Sequence, residues 1–360
     1  MAAEPWRCDA RAGPGGRAPG GPPDEPARAN RDGADRRGRR SAPRRAVRLG
    51  PAPLRGPRVG ALRRRVRARA VGEVVATGSE VDGISVGDRV LVPFTTSCGA
   101  CGPCRRGLTA RCLRGELFGF GPADDPTVPA LHGCQAQYVR VPLAGSTLVL
   151  VPDDVDDTAA VLLTDNLPTG WSAVERTGTK AGDALAVVGL GAVGLCAVAV
   201  ATATGAGPVL AIDPVAERRE AAALLGAEVA TPDDAVAIMA ALVAAEGAPA
   251  VVEAAGTTAA QGLACALVRP GGTLSVIAVQ TGTAFGFTPV AAYDTNLTVR
   301  FGRASARSAL DRVLPRADDL LPRVAGAVLT GPVVDLVEGP DAYARFARHD
   351  AGTPKVVFSP

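Results

Sequence analysis

The run ALAVVGLGAVGLCAVAVA, residues 184–201, carries no charged side chain and sets Gly189, Gly191 and Gly194 in a G-x-G-x-x-G spacing. A stretch of this length and apolarity is a membrane-span candidate. Three glycines at fixed spacing instead suit a buried strand, a tight turn and the first turn of a helix. Such a turn brings backbone close to a pyrophosphate, and the free N–H groups of Ala192, Val193 and Gly194 at the helix start favour an anion. Asp213 ends the next strand, 19 residues beyond Gly194. A carboxylate there accepts both ribose hydroxyls of an adenosine and repels a 2′-phosphate, so NAD is expected over NADP. Arg218 and Arg219 argue the other way, although helical placement assigns them to a solvated face. A glycine-rich turn without a cofactor is the alternative.

The chain around this motif alternates in type. The strand PVLAID is followed by the helix VAERREAAALLGA, then a short strand near Val229, a helix over 233–245, the strand PAVVEAAG, a helix after Thr257 and the strand GGTLSVIAV. Repeated βα units with fully apolar strands predict a parallel, doubly wound sheet with helices on both faces. Residues 71–151 read differently, as short strands (VGEVVATG, VGDRVLVPF, AQYVRVP, TLVLVP) punctuated by glycine and proline, which predicts a small β-rich domain. DDVDDTAAVLL and PTGWSAVERTG read as helices. The tail returns to mixed character after about Asp294 and ends in the strand-like PKVVFSP.

Eight cysteines are present, and four of them, Cys98, Cys101, Cys104 and Cys112, follow C-x2-C-x2-C-x7-C. Four thiolates complete a tetrahedral zinc site and leave no position for water or substrate, so a structural Zn2+ is expected. Gly99, Gly102 and Gly107 let the loop wrap. An iron–sulfur cluster is the rival, but its bacterial pattern has a three-residue last gap followed by proline, and here Leu113 follows Cys112. Cys196 and Cys265 fall on helices and read as core thiols.

Residues 1–70 contrast with all of this. They hold 19 Arg, no Lys and 6 acids, with ten Gly and ten Pro. The formal net charge of the whole chain is only +3, so the remainder is net acidic and the basic balance says nothing of its partners. The segment lacks the apolar core of a signal peptide, and its proline density opposes an amphipathic transit helix. It cannot bury enough surface to offset chain entropy and is expected to be disordered. A nucleic-acid-binding arm is the other functional reading.

A four-cysteine lobe upstream of a dinucleotide fold, with the phrases VGEVVATGSEVDGISVGDRVLV, AQYVRVP, GLGAVG, VVEAAGT and GTPKVVF, resembles the zinc-containing medium-chain dehydrogenase/reductase family, which includes alcohol dehydrogenases. The resemblance runs over residues 71–360. It implies an α/β architecture: a GroES-like β-barrel domain over 71–165, completed by 294–360, plus a Rossmann doubly wound parallel sheet over 166–293. It also implies hydride transfer between an alcohol or aldehyde and NAD, with a second, catalytic zinc polarising the substrate oxygen. Relatives are dimers or tetramers, so a homo-oligomer is expected, and the expected compartment is the cytoplasm. Neither a membrane nor a nucleic acid is an expected partner. A zinc-free quinone reductase is disfavoured, because that branch lacks the cysteine lobe.

The resemblance assigns the catalytic zinc three ligands: a cysteine in Gly-x-Cys-Gly, a histidine in Gly-His-Glu, and a cysteine or aspartate before the nucleotide domain. LTDNLPTGW supplies Asp165 as the third, with Thr169 near the nicotinamide. Taken alone, Asp165 reads equally as a cap for the helix that follows. The first two ligands are missing. Cys8 is in the wrong setting, and His132 and His349 lie outside the motif, although a substitute site of His132 with Cys134 is conceivable. Where Gly-His-Glu is expected, just before VGEVV with one residue allowed between, the chain has Arg67-Ala68-Arg69 and then Ala70. Arg-Ala-Arg encoded as CGG GCA CGA, followed by G, would read one base later as GGG CAC GAG, which is Gly-His-Glu. Residues 1–69 therefore read as an out-of-frame segment. The activity of this chain is then in doubt, and a non-catalytic NAD- and zinc-binding protein is the alternative function.

Overall fold

The computed structural model describes residues 39–40, 46–47, 69–119, 131, 133–244, 246–280, 282–348 and 354–360, all within one compact unit, Ala34–Pro360. Two short strands come first, β1 (Arg39–Arg40) and β2 (Ala46–Val47), then β3 (Arg69–Val74) and β4 (Arg89–Val92). The short helices α1 (Gly102–Arg105) and α2 (Ala144–Thr147) precede β5 (Val149–Leu150). Helices α3 (Asp157–Leu163) and α4 (Asn166–Glu175) lead to the alternating region. There β6 (Leu185–Val188), α5 (Ala192–Ala203), β7 (Val209–Ile212), α6 (Ala216–Leu224), β8 (Glu228–Ala230), α7 (Ala235–Leu242), β9 (Ala248–Glu253), α8 (Thr258–Leu267) and β10 (Val268–Val276) follow in order. Next come α9 (Pro289–Asp294), β11 (Thr298–Phe301), α10 (Ala306–Val313) and α11 (Ala317–Val328). The chain closes with β12 (Val333–Asp335), α12 (Gly339–Arg348) and β13 (Val357–Ser359).

Two sheets result. One is six-stranded and parallel, in the order β11-β10-β9-β6-β7-β8. Its central strands are apolar because both faces are covered: all four residues of β6 and all four of β7 are buried, as a parallel sheet between helical layers requires. The run 184–201 is accordingly a strand, turn and helix. Among the described residues no helix is long and apolar enough to cross a membrane.

The other sheet is mainly antiparallel, in the order β12-β13-β2-β3-β4-β5, with β1 pairing β3. The strand-like tail sits inside it, since β13 pairs β2 on one side and β12 on the other. Of the arginine-rich segment, residues 39–40 and 46–47 form strands against β3, and β3 itself begins at Arg69. The rest of that segment up to residue 68 lies outside the described residues, and the frame boundary expected between Arg69 and Ala70 falls at the start of β3.

Local sequence explains the helices that carry the site. Asp156 caps α3, accepting from the amides of Thr158 (2.8 Å) and Ala159 (3.2 Å), a pairing worth about 1 kcal/mol. Leu162, Leu163 and Leu167 on α3 and α4 are fully buried, each contributing roughly 1.5–3 kcal/mol over an exposed position. Helix α4 packs closely on α5 because residue 170 is glycine: a Cβ there would stand 2.7 Å from Cys196 Cβ and 2.8 Å from Ala197 N. This crossing sets Asp165 and Thr169 at the junction of the two sheets.

Candidate functional site

The cysteine lobe is built locally. The sulfurs of Cys98, Cys101, Cys104 and Cys112 all lie within 4.8 Å of one another. Gly99 (φ +70°) and Gly107 (φ +77°) take left-handed turns that β-carbons would strain. Backbone amides of Cys98 (3.2 Å) and Arg114 (3.4 Å) donate to Cys112 Sγ, an arrangement that favours thiolate. Burial opposes ionisation of Cys98, yet the Ala100 amide and Arg114 outweigh it and hold the thiol down at about 5. Cys104 is pushed up to about 12 by burial and by its cysteine neighbours. Four soft donors facing one centre, with N–H groups behind them, fit a tetrahedral Zn2+. The lobe is anchored from outside: Ser308 Oγ donates to Gly107 O (2.6 Å) and the Ala110 amide donates to Ser305 Oγ (3.3 Å).

At the carboxyl edge of the parallel sheet, Gly189 turns the chain with φ +94°, and a Cβ there would meet Ala255 at 2.7 Å. Gly194 packs still closer, since its Cβ would fall on the Gly189 carbonyl oxygen. Gly191 starts α5 and a Cβ there would meet nothing within 4 Å. The turn thus presents bare backbone to an open side, with the first amides of α5, Ala192 and Val193, at the helix end. Asp213 is buried below it. Its Oδ2 accepts from the Leu190 amide (2.8 Å) and its Oδ1 from the Val215 amide (2.9 Å). These bonds tie the glycine turn to the end of β7. Arg218 and Arg219 do not form a solvated face. Arg218 Nη1 lies 3.5 Å from Asp213 Oδ2, and Arg219 donates to the carbonyls of Asp213 (2.7 Å) and Pro214 (2.8 Å). They wrap back because α6 begins only three residues after Asp213.

Asp165 sits immediately before α4, but its side chain caps nothing. Thr169 donates to its Oδ1 at 2.6 Å, and Arg69 Nη1 pairs with its Oδ2. Both partners are buried, Arg69 with 2% and Asp165 with 8% of the side chain exposed. Burial lowers the pKa of Arg69, while Asp165 and then Cys134 pull it back up. Cys134 is fully buried and its thiol is driven up by that burial, against the pull of Arg69. Cys196 behaves alike, driven up by burial within electrostatic reach of Lys355 and Asp165. Lys355, buried in the tail segment, donates to Asn166 Oδ1 at 2.5 Å.

This donor set does not fit a catalytic zinc. Among the described residues Asp165 belongs to no group of three metal-ligand atoms, and the buried Arg69 guanidinium already pairs with its Oδ2. Cys8, His132 and His349 lie outside the described residues, so the pairing of His132 with Cys134 does too. Sequence reasoning missed Arg69 and Lys355 as members of this cluster. The available signal was position, since Arg69 lies one residue before VGEVV, where the resemblance expects a ligand motif.

The alcohol dehydrogenase GroES-like domain profile matches residues 65–153 and the zinc-binding dehydrogenase profile matches residues 192–318. A probable zinc-binding alcohol dehydrogenase of Mycobacterium tuberculosis is 36% identical over 247 residues, covering 68% of this chain; the chain spans 62% of that relative's length. A medium chain reductase/dehydrogenase of an Acremonium species is 38% identical, with 58% of this chain matching 72% of it. Among solved structures, an alcohol dehydrogenase from Thermus sp. ATN1 superposes with a TM-score of 0.80 at 30% identity, over 93% of this chain and 95% of that one. Profile, relatives and fold agree, and the chain belongs to the zinc-containing medium-chain dehydrogenase/reductase family.

Proposed function

We propose that the chain takes NAD on the glycine turn and one zinc ion in the cysteine lobe, as a dehydrogenase-type oxidoreductase. Its lineage reaction passes hydride between a small alcohol or aldehyde and the nicotinamide. The carrying observation is the turn at Gly189–Gly194, where bare backbone and the α5 amides face outward while Asp213 fastens the turn from below. Gly189, Gly191, Ala192, Val193 and Gly194 would hold the pyrophosphate, and Asp213 the adenosine ribose. The bound nucleotide supplies the hydride acceptor. Cys98, Cys101, Cys104 and Cys112 would hold the zinc, whose contribution is to the folding of the lobe. Thr169 donates to Asp165 at 2.6 Å, and the lineage reaction would put Thr169 near the nicotinamide.

A second reading, a non-catalytic NAD- and zinc-binding protein, is favoured by one observation, the engagement of Asp165 by Arg69. Nucleotide titration of the full chain by calorimetry tests the common part: NAD binds, and Asp213→Ala weakens it. Absence of binding by either NAD or NADP refutes it. NADH formation across a panel of alcohols then separates the oxidoreductase from the non-catalytic form. A homo-oligomer is also part of the proposal. The edge strand β11 carries exposed Phe301, which contacts exposed Phe285 at 5.4 Å between ring centroids.

A further inference from the structure

We infer that Arg69 is a resident cation, standing at Asp165 where the lineage reaction calls for a metal, so that the described residues hold one zinc site, the cysteine lobe, and the seam between the sheets is metal-independent. Three observations carry this. First, the guanidinium is on the opposite side of the junction from the carboxylate it meets: Arg69 opens β3 of the antiparallel sheet, whereas Asp165 opens the helix packed on α5 of the parallel sheet. Second, both carboxylate oxygens carry a donor, Thr169 on Oδ1 and Arg69 on Oδ2, and among the described residues no group of metal-ligand atoms gathers at Asp165. Third, the cluster is closed to water. Arg69 and Lys355 are both buried, and the two thiols within reach, Cys134 and Cys196, are fully buried.

An arginine does not give up its proton to make room for a metal, as a histidine or cysteine ligand does. A dication at Asp165 would face the Arg69 guanidinium in a poorly solvated pocket and would first have to expel a side chain that is 2% exposed. Arg69 supplies the connection that a shared metal ion would make, bridging two segments 96 residues apart through a permanent charge. Lys355 repeats the device one residue along, tying the tail to Asn166. The seam is therefore held by two side-chain cations at consecutive positions of the α4 start, with no exchangeable ion in it.

Metal counting on the intact chain tests this. The full chain, loaded with excess zinc and freed of loose metal by gel filtration, is measured by plasma mass spectrometry. The expected content is one zinc per chain. The double variant Arg69→Met/Asp165→Leu, which removes both charges so that neither is stranded, is expected to retain the same content. A second zinc in the wild type, or any zinc lost in the double variant while the wild type keeps it, overturns the inference. Should the double variant fail to fold, the wild-type count alone still decides, because two zinc ions per chain contradict it. The count does not depend on nucleotide binding, so failure of NAD to bind with a single zinc present refutes the proposed function and leaves this inference standing.

Discussion

Removing the Arg69 guanidinium gives the sharpest test of how the seam is held. In Arg69→Met the Asp165 carboxylate stays buried, with Thr169 as its one donor of those that now bind it. Stripping one partner from a buried ion pair costs about 3–5 kcal/mol, because an uncompensated charge remains. The Thr169 hydroxyl and the nearby Lys355 reduce this, so a loss of about 3 kcal/mol is expected, a shift of more than about a hundredfold in the folded-to-unfolded ratio. Arg69→Met/Asp165→Leu should recover most of the loss, since replacing a buried pair by apolar groups is often neutral. The assay is urea unfolding followed by tryptophan fluorescence. Trp171 is on α4, half-buried and six residues beyond Asp165, so it reports on this junction. A loss below about 1 kcal/mol in the single variant, with no coupling in the double-variant cycle, would refute a buried ion pair here.

Three other outcomes follow from the same geometry. Glu253 is fully buried at the end of β9, and burial raises its pKa against the amides of Gly256 and Ala255 and the side chain of Gln280. A raised carboxyl binds more protons folded than unfolded, so its contribution is full below the ordinary carboxylate pKa and is lost as pH rises to the raised value. Thermal midpoints against pH should show that fall in the wild type and not in Glu253→Gln. Gly194→Ala places a methyl on the Gly189 carbonyl oxygen, so NAD affinity should drop at least about tenfold, as a clash costing more than about 1.4 kcal/mol implies; unchanged affinity would contradict the turn as the binding site. In Asp213→Asn the Arg218 guanidinium loses its anionic partner at 3.5 Å and becomes available to a 2′-phosphate, so the ratio of NAD to NADP affinity should fall on titration.

The legible parts of this molecule are those decided by near neighbours in sequence. The cysteine spacing is a local geometric demand, and the glycine spacing follows from a strand meeting a helix within a few residues. The alternation of β6–β10 with α5–α8 is readable because strands covered on both faces are apolar throughout. The tail strand at Val357–Ser359 is readable as a strand, but its partners, β2 and β12, are not. Arg69 is illegible for the same reason. It sits in an arginine run whose composition points to solvent, and only the fold brings it to Asp165, 96 positions away. Asp165 has the look of a helix cap, yet a guanidinium and a hydroxyl outcompete the α4 amides for its oxygens. Arg218 and Arg219 have the spacing of an exposed face, and the nearness of the α6 start to Asp213 turns them inward.

Zinc-edge X-ray absorption on the zinc-loaded full chain tests most directly the claim that zinc serves the cysteine lobe and that Arg69 serves Asp165. The account predicts a first shell of four sulfurs alone at about 2.3 Å. A shell containing nitrogen or oxygen at about 2.0–2.2 Å, abolished by Asp165→Asn, would place a metal where the guanidinium stands and contradict it.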